Sequence, residues 1–240
     1  MTTTSLAESR QLIADACRVL AARGLSDAHL GHVSLRVDAE RLLVRCRGPQ
    51  ERGLAWTTAD DVRLVDLDGQ PGAEGELDGW SVPNELPLHT EILRTRPDVQ
   101  AVVHAHPPEV VAADLAGVAI RPILGAFDIP GAKLAAGGVP VYPSSVLIRD
   151  RVRAAEMTAA LGGRPVVLLR AHGLTSAASS VPTAVLQAVS VDTLARMSLT
   201  VLGAGGRLVD VPPDDLAELP DLGPGFNEGV AWRHELARLG

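Results

Sequence analysis

Three observations predict an α/β layered domain. Apolar runs of strand length alternate irregularly with helical runs along the chain. No internal repeat or convincing domain boundary interrupts that alternation. Hydrophobic residues make up 46% of the 240 positions, enough for a full core.

The elements follow in order. Ser5 to Arg23 places Leu6, Ile13, Cys17 and Leu20 at helical spacing; Ser5 and Glu8 form a capping box and Gly24 ends the helix. His32–Val37 and Arg41–Cys46 alternate as paired strands around Asp38-Ala39-Glu40, and Val62–Leu67 is a strand closed by Asp68-Gly69. Gln70 to Val82 is a glycine-rich acidic loop and Pro87 to Thr95 a helix. Gln100–His106 is a buried strand stopped by Pro107-Pro108, and Glu109–Leu115 is helical. Val139–Tyr142 is a short strand, Asp150–Leu161 a helix and Val166–Leu169 a strand. Pro182 to Leu202 is a long helix opened by proline. Pro212–Gly225, with four Pro and two Gly, is a connector before an amphipathic helix over Asn227–Leu239. One domain is therefore expected over residues 1–206. Residues 207–240 form an appendage packed on the same domain or on a neighbouring subunit.

Composition removes several function classes. Lys plus Arg number 22 and Asp plus Glu 29, a net charge of −7, and aromatics are 2%. Such a chain lacks both the phosphate-neutralising patch and the stacking platform of a nucleic-acid binder. Two cysteines, Cys17 and Cys46, make no disulfide framework and indicate a reducing compartment. Met1 to Arg10 lacks the basic-then-apolar pattern of a signal peptide. The apolar stretches are broken before the roughly 20 residues of a membrane span. A cytoplasmic chain with no membrane partner is expected.

The chemistry is concentrated at two strand ends. His104 and His106 are two apart in a strand, so both rings share a face. The strand Val166–Leu169 runs into Arg170-Ala171-His172-Gly173, which adds a third imidazole and a glycine that permits close backbone approach. A lone histidine at a strand exit is ordinary. His-x-His with a His-Gly at a second terminus describes three neutral imidazoles around a catalytic metal with an open position. Such a set suits Zn²⁺, and Mn²⁺, Fe²⁺ and Co²⁺ are compatible.

These segments resemble the class II aldolase/adducin family. The resemblance rests on Gly31-His32-Val33-Ser34-Leu35-Arg36, Asn84-Glu85-Leu86-Pro87-Leu88-His89, Arg96-Pro97-Asp98-Val99 through His104-Ala105-His106-Pro107, and Ala171-His172-Gly173-Leu174. It covers roughly residues 5 to 205. It implies a three-layer α/β/α sandwich with a central, mostly antiparallel sheet. It also implies a divalent metal on His104, His106 and His172, with Glu85 as the acid/base beside it, and a homotetramer with sites at subunit interfaces.

The departures from the family pattern are informative. Sugar-phosphate aldolases of the family hold phosphate with small hydroxyl and amide elements. Here His32, the stretch Arg45-Cys46-Arg47-Gly48-Pro49, and Pro83-Asn84 stand in those places. A phosphate site needs such donors, so a sugar phosphate is not expected. Arg36, Arg41, Arg45, Arg47 and Arg52 lie within seventeen residues instead. Arginine forks bind carboxylates in two-point fashion, which marks Arg45, Arg47 and Arg52 as candidate carboxylate ligands. The same residues would also make a plain solvated strand face in a chain whose only lysine is Lys133. His32 and Asn84 are further candidate substrate contacts. His29, His89 and His234 are expected to be structural or solvated. The family's tyrosine proton donor has no counterpart between Pro122 and Gly138, and the single tyrosine, Tyr142, lies further on as an expected packed residue.

The residues themselves reach a metal-dependent carbon–carbon lyase acting on a non-phosphorylated, anionic substrate, and a carboxylated small molecule is expected. Arg45 to Leu54 and Val139 to Ser145 are similar to a subgroup that decarboxylates 3,4-dihydroxyphthalate to 3,4-dihydroxybenzoate. That similarity implies loss of CO₂ from an ortho-hydroxylated aromatic acid in aromatic breakdown, such as that of phthalate. Glu85 would shuttle the proton, its pKa raised toward neutrality by its surroundings. The alternatives are aldol cleavage of a non-phosphorylated hydroxy or keto acid, and a catalytically silent, adducin-like interaction module. Schiff-base chemistry would need Lys133, which has no paired base in sequence.

Overall fold

A computed structural model describes residues 5–240. Met1 to Thr4, the first residues of the stretch that lacks a signal-peptide pattern, lie outside the described residues. Among the described residues seven strands form one sheet: β1 (His32–Arg36), β2 (Arg41–Arg45), β3 (Val62–Asp66), β4 (Ala101–Ala105), β5 (Val141–Tyr142), β6 (Val166–Leu169) and β7 (Gly173–Ala178). Their order is β3-β2-β1-β4-β7-β6-β5. Every neighbouring pair is antiparallel except β5 with β6.

Period-two alternation sorts the apolar side chains into two layers. Val33, Leu43, Val103, Leu168 and Leu174 face α1 (Leu6–Ala22), α3 (Pro108–Leu115), α4 (Ile129–Ala135) and α6 (Val181–Gly203). Leu42, Val44, Val102, Val167 and Leu169 face α2 (Leu86–Thr95) and α5 (Arg151–Leu161). Helices on both faces of a mostly antiparallel sheet make the expected α/β/α sandwich. The two strand ends that carry the histidines belong to adjacent elements, because β7 lies directly between β4 and β6.

The expected capping box of α1 is present: Glu8 N–H donates to Ser5 Oγ, and the Glu8 carboxylate accepts from Ser5 N–H. Sequence patterning does not reveal β7, because Gly-Leu-Thr-Ser-Ala-Ala has neither the branching nor the alternation of a strand. Its small residues are all buried in the sheet centre. Nor does it reveal α4, which starts on an Asp128 cap and carries proline in its first turn. Gly131 has no Cβ to clash with the Asp128 carboxylate, which would lie 2.3 Å away. The Pro212–Gly225 connector contains one helical turn and a half, α7 (Pro213–Glu218), and the start of α8 (Gly223–Phe226).

By length and composition α6 is apolar enough to cross a membrane, which the broken apolar stretches do not suggest. Here it is the central helix of the α1 layer, with Ala184, Ala188, Val191 and Leu194 in the core. The C-terminal segment packs on its own chain. On α9 (Trp232–Ala237), Trp232 enters the core beside α1 and α6, and Glu235 accepts from Arg23 Nε at 2.7 Å. Cys17 and Cys46 are both free and buried, and burial pushes each thiol up to about 12.

Candidate metal centre

His104 shares the parity of Val102 and so points to the α2/α5 side of the sheet. Its register partners are His32 on β1 and Thr175 on β7. His106 follows just past the end of β4, where its N–H donates to the Leu25 carbonyl at 3.0 Å. His172 sits in the turn between β6 and β7. Gly173 lets that turn close on the end of β4: a Cβ there would lie 2.2 Å from the Ala105 carbonyl oxygen. The three rings therefore converge, with centroids 4.6 Å (His104–His106), 4.7 Å (His106–His172) and 5.0 Å (His104–His172) apart.

Glu85 completes the group from the N-terminus of α2. Its Oε2 lies 3.4 Å from His104 Nε2 and 3.5 Å from His172 Nε2. Its Oε1 accepts the Ile148 N–H at 2.8 Å, from the loop before α5. One donor atom from each of Glu85, His104, His106 and His172 lies within 4.8 Å of the others.

The donor set fits a divalent metal. His104 Nδ1 is 3.0 Å from the Leu174 carbonyl, which only accepts, so the proton is on Nδ1 and the Nε2 lone pair faces the cluster. That Nε2, and both nitrogens of His172, are buried without a hydrogen-bond partner. Orphaned polar nitrogens of this kind cost about 1–3 kcal/mol each unless something binds them. His106 is held down to about 3, by burial first and then by the neighbouring imidazoles, and so is neutral as a metal ligand must be.

The expected upward shift of Glu85 is not found. Burial alone would raise its pKa, but the His104 and His172 imidazoles beside Oε2 and the Ile148 N–H on Oε1 outweigh it and hold the group well below the usual carboxylate range. Glu85 is thereby held in its ionised form.

A second row of polar groups lies behind the centre on the same sheet face. His32 Nδ1 is 2.6 Å from His89 Nε2, and His89 Nδ1 is 2.7 Å from Ser34 Oγ. The His32 ring is 5.0 Å from that of His104. His89 is thus a buried structural residue, as expected. It stands four positions after Glu85, on the same face of α2.

The turn bearing His172 is held from below. Ala171 has a left-handed φ of +50°. Its N–H donates to Asp114 Oδ2 on α3 at 2.8 Å, and Arg170 Nε lies 3.4 Å from Asp114 Oδ1. Nothing in the sequence around Asp114 signals this duty. Asp114→Ala is expected to weaken metal binding about tenfold while the chain stays folded, as measured by chelator competition.

The arginines fare differently. Arg45 shares parity with Leu43, on the opposite face from His104; it is buried and its guanidinium is already paired with Glu51. Arg47 lies outside β2, in an isolated bridge with Ser81, half-buried, and its side chain has no hydrogen-bond partner among the described residues. Arg52 is exposed and stacks over Trp56 at 5.6 Å. Asn84 is exposed and lines a cavity of about 440 Å³ with Thr90, Arg94 and Arg151. Tyr142 is packed in the α2/α5 core and donates to Glu156 at 2.9 Å. His29, His234 and Lys133 are exposed. Glu51→Ala, which strands the Arg45 charge in the core, is expected to cost about 3 kcal/mol in denaturant unfolding and to leave KM unchanged.

Known proteins resemble this chain in sequence and fold. Residues 11–199 match the class II aldolase and adducin N-terminal domain. A 3,4-dihydroxyphthalate decarboxylase of Terrabacter sp. (strain DBF63) is 74% identical over 98% of both chains. Another, from Rhodococcus jostii (strain RHA1), is 56% identical over 99% of this chain and 98% of its own. The solved structure of an aldolase II superfamily protein from Pseudomonas syringae superposes with a TM-score of 0.79 at 25% identity, covering 99% of this chain and 96% of that one. By both its sequence and its fold, the chain belongs to the class II aldolase and adducin family.

Proposed function

We propose that the protein is a metal-dependent carboxy-lyase converting 3,4-dihydroxyphthalate to 3,4-dihydroxybenzoate and CO₂. The observation that carries this reading is the 74% identity, over 98% of both chains, with a protein of that activity. The Glu85–His104–His106–His172 cluster, partly buried at the strand ends, supports it as the place where such chemistry is done.

His104, His106 and His172 would hold the divalent ion, with Zn²⁺ the first choice for three imidazoles. When bound, the ion supplies Lewis acidity that draws electron density from the ring as the carbon–carbon bond breaks. The protein's own groups handle the proton. Glu85, ionised at rest, accepts the proton of the hydroxyl ortho to the departing carboxylate. It then delivers that proton to the ring carbon bearing the carboxylate. CO₂ leaves, the bonding pair returns to the ring and restores its aromaticity, and the phenolate oxygen left behind takes up a proton from water as the product departs. Glu85 ends as it began. The Ile148 N–H keeps Oε1 fixed, so Oε2 is the oxygen that moves the proton.

The remaining carboxylate needs a partner. His32, Arg47, Arg52 and Asn84 are the proposed contacts, with Arg47 favoured because its guanidinium is not committed to another group among the described residues. Residues 1–206 act as the catalytic domain, with 207–240 as its appendage. The working unit is a cytoplasmic homotetramer. Exposed apolar side chains such as Phe127 (75%), Val152 (70%) and Leu115 (69%) support such an assembly.

Mass spectrometry of metal-loaded protein incubated with 3,4-dihydroxyphthalate tests the reading. One 3,4-dihydroxybenzoate per CO₂ is the expected result. Unchanged substrate with metal bound would overturn it in favour of aldol cleavage of a hydroxy acid.

A further inference from the structure

We infer that Ser34 and His89 fix the tautomer of His32, so that His32 presents a neutral Nε2–H donor to an anionic oxygen of the substrate. The inference rests on the proposed function only for the identity of that substrate.

The direction of the hydrogen-bond chain follows from its far end. Ser34 is fully buried on β1, and the only hydrogen-bond partner of its hydroxyl among the described residues is His89 Nδ1. A hydroxyl has one proton, and in a buried site that proton needs an acceptor. If His89 Nδ1 carried a proton, it would donate to Ser34 Oγ, and the Ser34 hydroxyl would be left with no acceptor. The satisfied arrangement is the reverse. Ser34 O–H donates to His89 Nδ1, so the His89 proton is on Nε2. His89 Nε2–H then donates to His32 Nδ1 across 2.6 Å. His32 Nδ1 is therefore an acceptor, and the proton of its neutral ring is on Nε2.

That nitrogen is on the edge of the ring turned away from His89. His32 is the register partner of His104, and the two rings lie 5.0 Å apart. Among the described residues no protein group bonds Nε2. A neutral donor beside the centre recognises carboxylate or phenolate oxygens without adding charge. In this role Ser34 and His89 are positioning residues, and their reach extends about two side chains behind the substrate.

The experiment is ¹⁵N-histidine NMR of the Zn²⁺-loaded protein without substrate, with His32 assigned by comparison with His32→Gln. The expected spectrum shows His32 protonated on Nε2 and bare on Nδ1. In Ser34→Ala that preference is lost and both tautomers are populated. KM for 3,4-dihydroxyphthalate then rises about fivefold while kcat changes less than about twofold, in line with one weakened hydrogen bond. A proton on His32 Nδ1 in the wild-type protein overturns the inference, and so does an unchanged His32 tautomer in Ser34→Ala. The wild-type spectrum decides by itself where the variant does not fold. Because no substrate is present, absence of turnover would count against the proposed reaction and leave the tautomer result standing.

Discussion

Replacing His104 by alanine is expected to empty the metal centre and abolish turnover while the chain remains folded. His104 Nε2 is buried, aimed into the cluster and without a protein hydrogen bond. Removing the ring deletes one of the three proposed ligands and unties the Leu174 carbonyl that orients it. Metal chemistry of this kind contributes several kcal/mol, so a loss of about a thousandfold or more in kcat/KM is expected. His172→Ala should behave alike, since both nitrogens of that ring lack protein partners. Elemental analysis of the purified variants checks the metal, and circular dichroism checks the fold. A variant that keeps both metal and full activity would contradict the assignment of these ligands.

Glu85→Gln separates the proton from the metal. The amide keeps the size of the carboxylate and still accepts the Ile148 N–H, so the loop before α5 stays in place. It cannot take up and return a proton. Turnover should fall by about 10²- to 10⁴-fold, with metal content and KM close to wild type. A near-wild-type rate in that variant would reject the shuttle and assign the proton to another group.

Much of this centre is legible in the sequence alone. Parity in Val103-His104-Ala105-His106 puts two imidazoles on one face, and the glycine after His172 announces a close approach that a Cβ would block at 2.2 Å. Glu85 is found only by resemblance, because a single carboxylate near a helix start has no spacing rule that reveals it. What stays hidden has physical reasons. Strand β7 consists, Leu174 apart, of small residues whose burial is set by its neighbours rather than by its own propensity. Parity relates Arg45 to its strand neighbours but does not say which face of the sheet carries the metal, and Arg45 lies on the other one. The state of Glu85 depends on two imidazoles and a backbone amide that reach it from 19 to 87 residues away. Asp114, Ile148 and the Ser34–His89 pair act through partners distant in sequence, so local patterning gives no signal of them.

The most direct test of the central claim is a metal add-back titration. The protein is stripped with a chelator and reloaded stepwise with Zn²⁺, and decarboxylation of 3,4-dihydroxyphthalate is followed at each occupancy. Activity should rise in proportion to bound metal and level off at one ion per chain, while Glu85→Gln fills to the same level and stays inactive. Full activity in the stripped protein, or activity unrelated to occupancy, would show that the His104–His106–His172 centre is not where the reaction takes place.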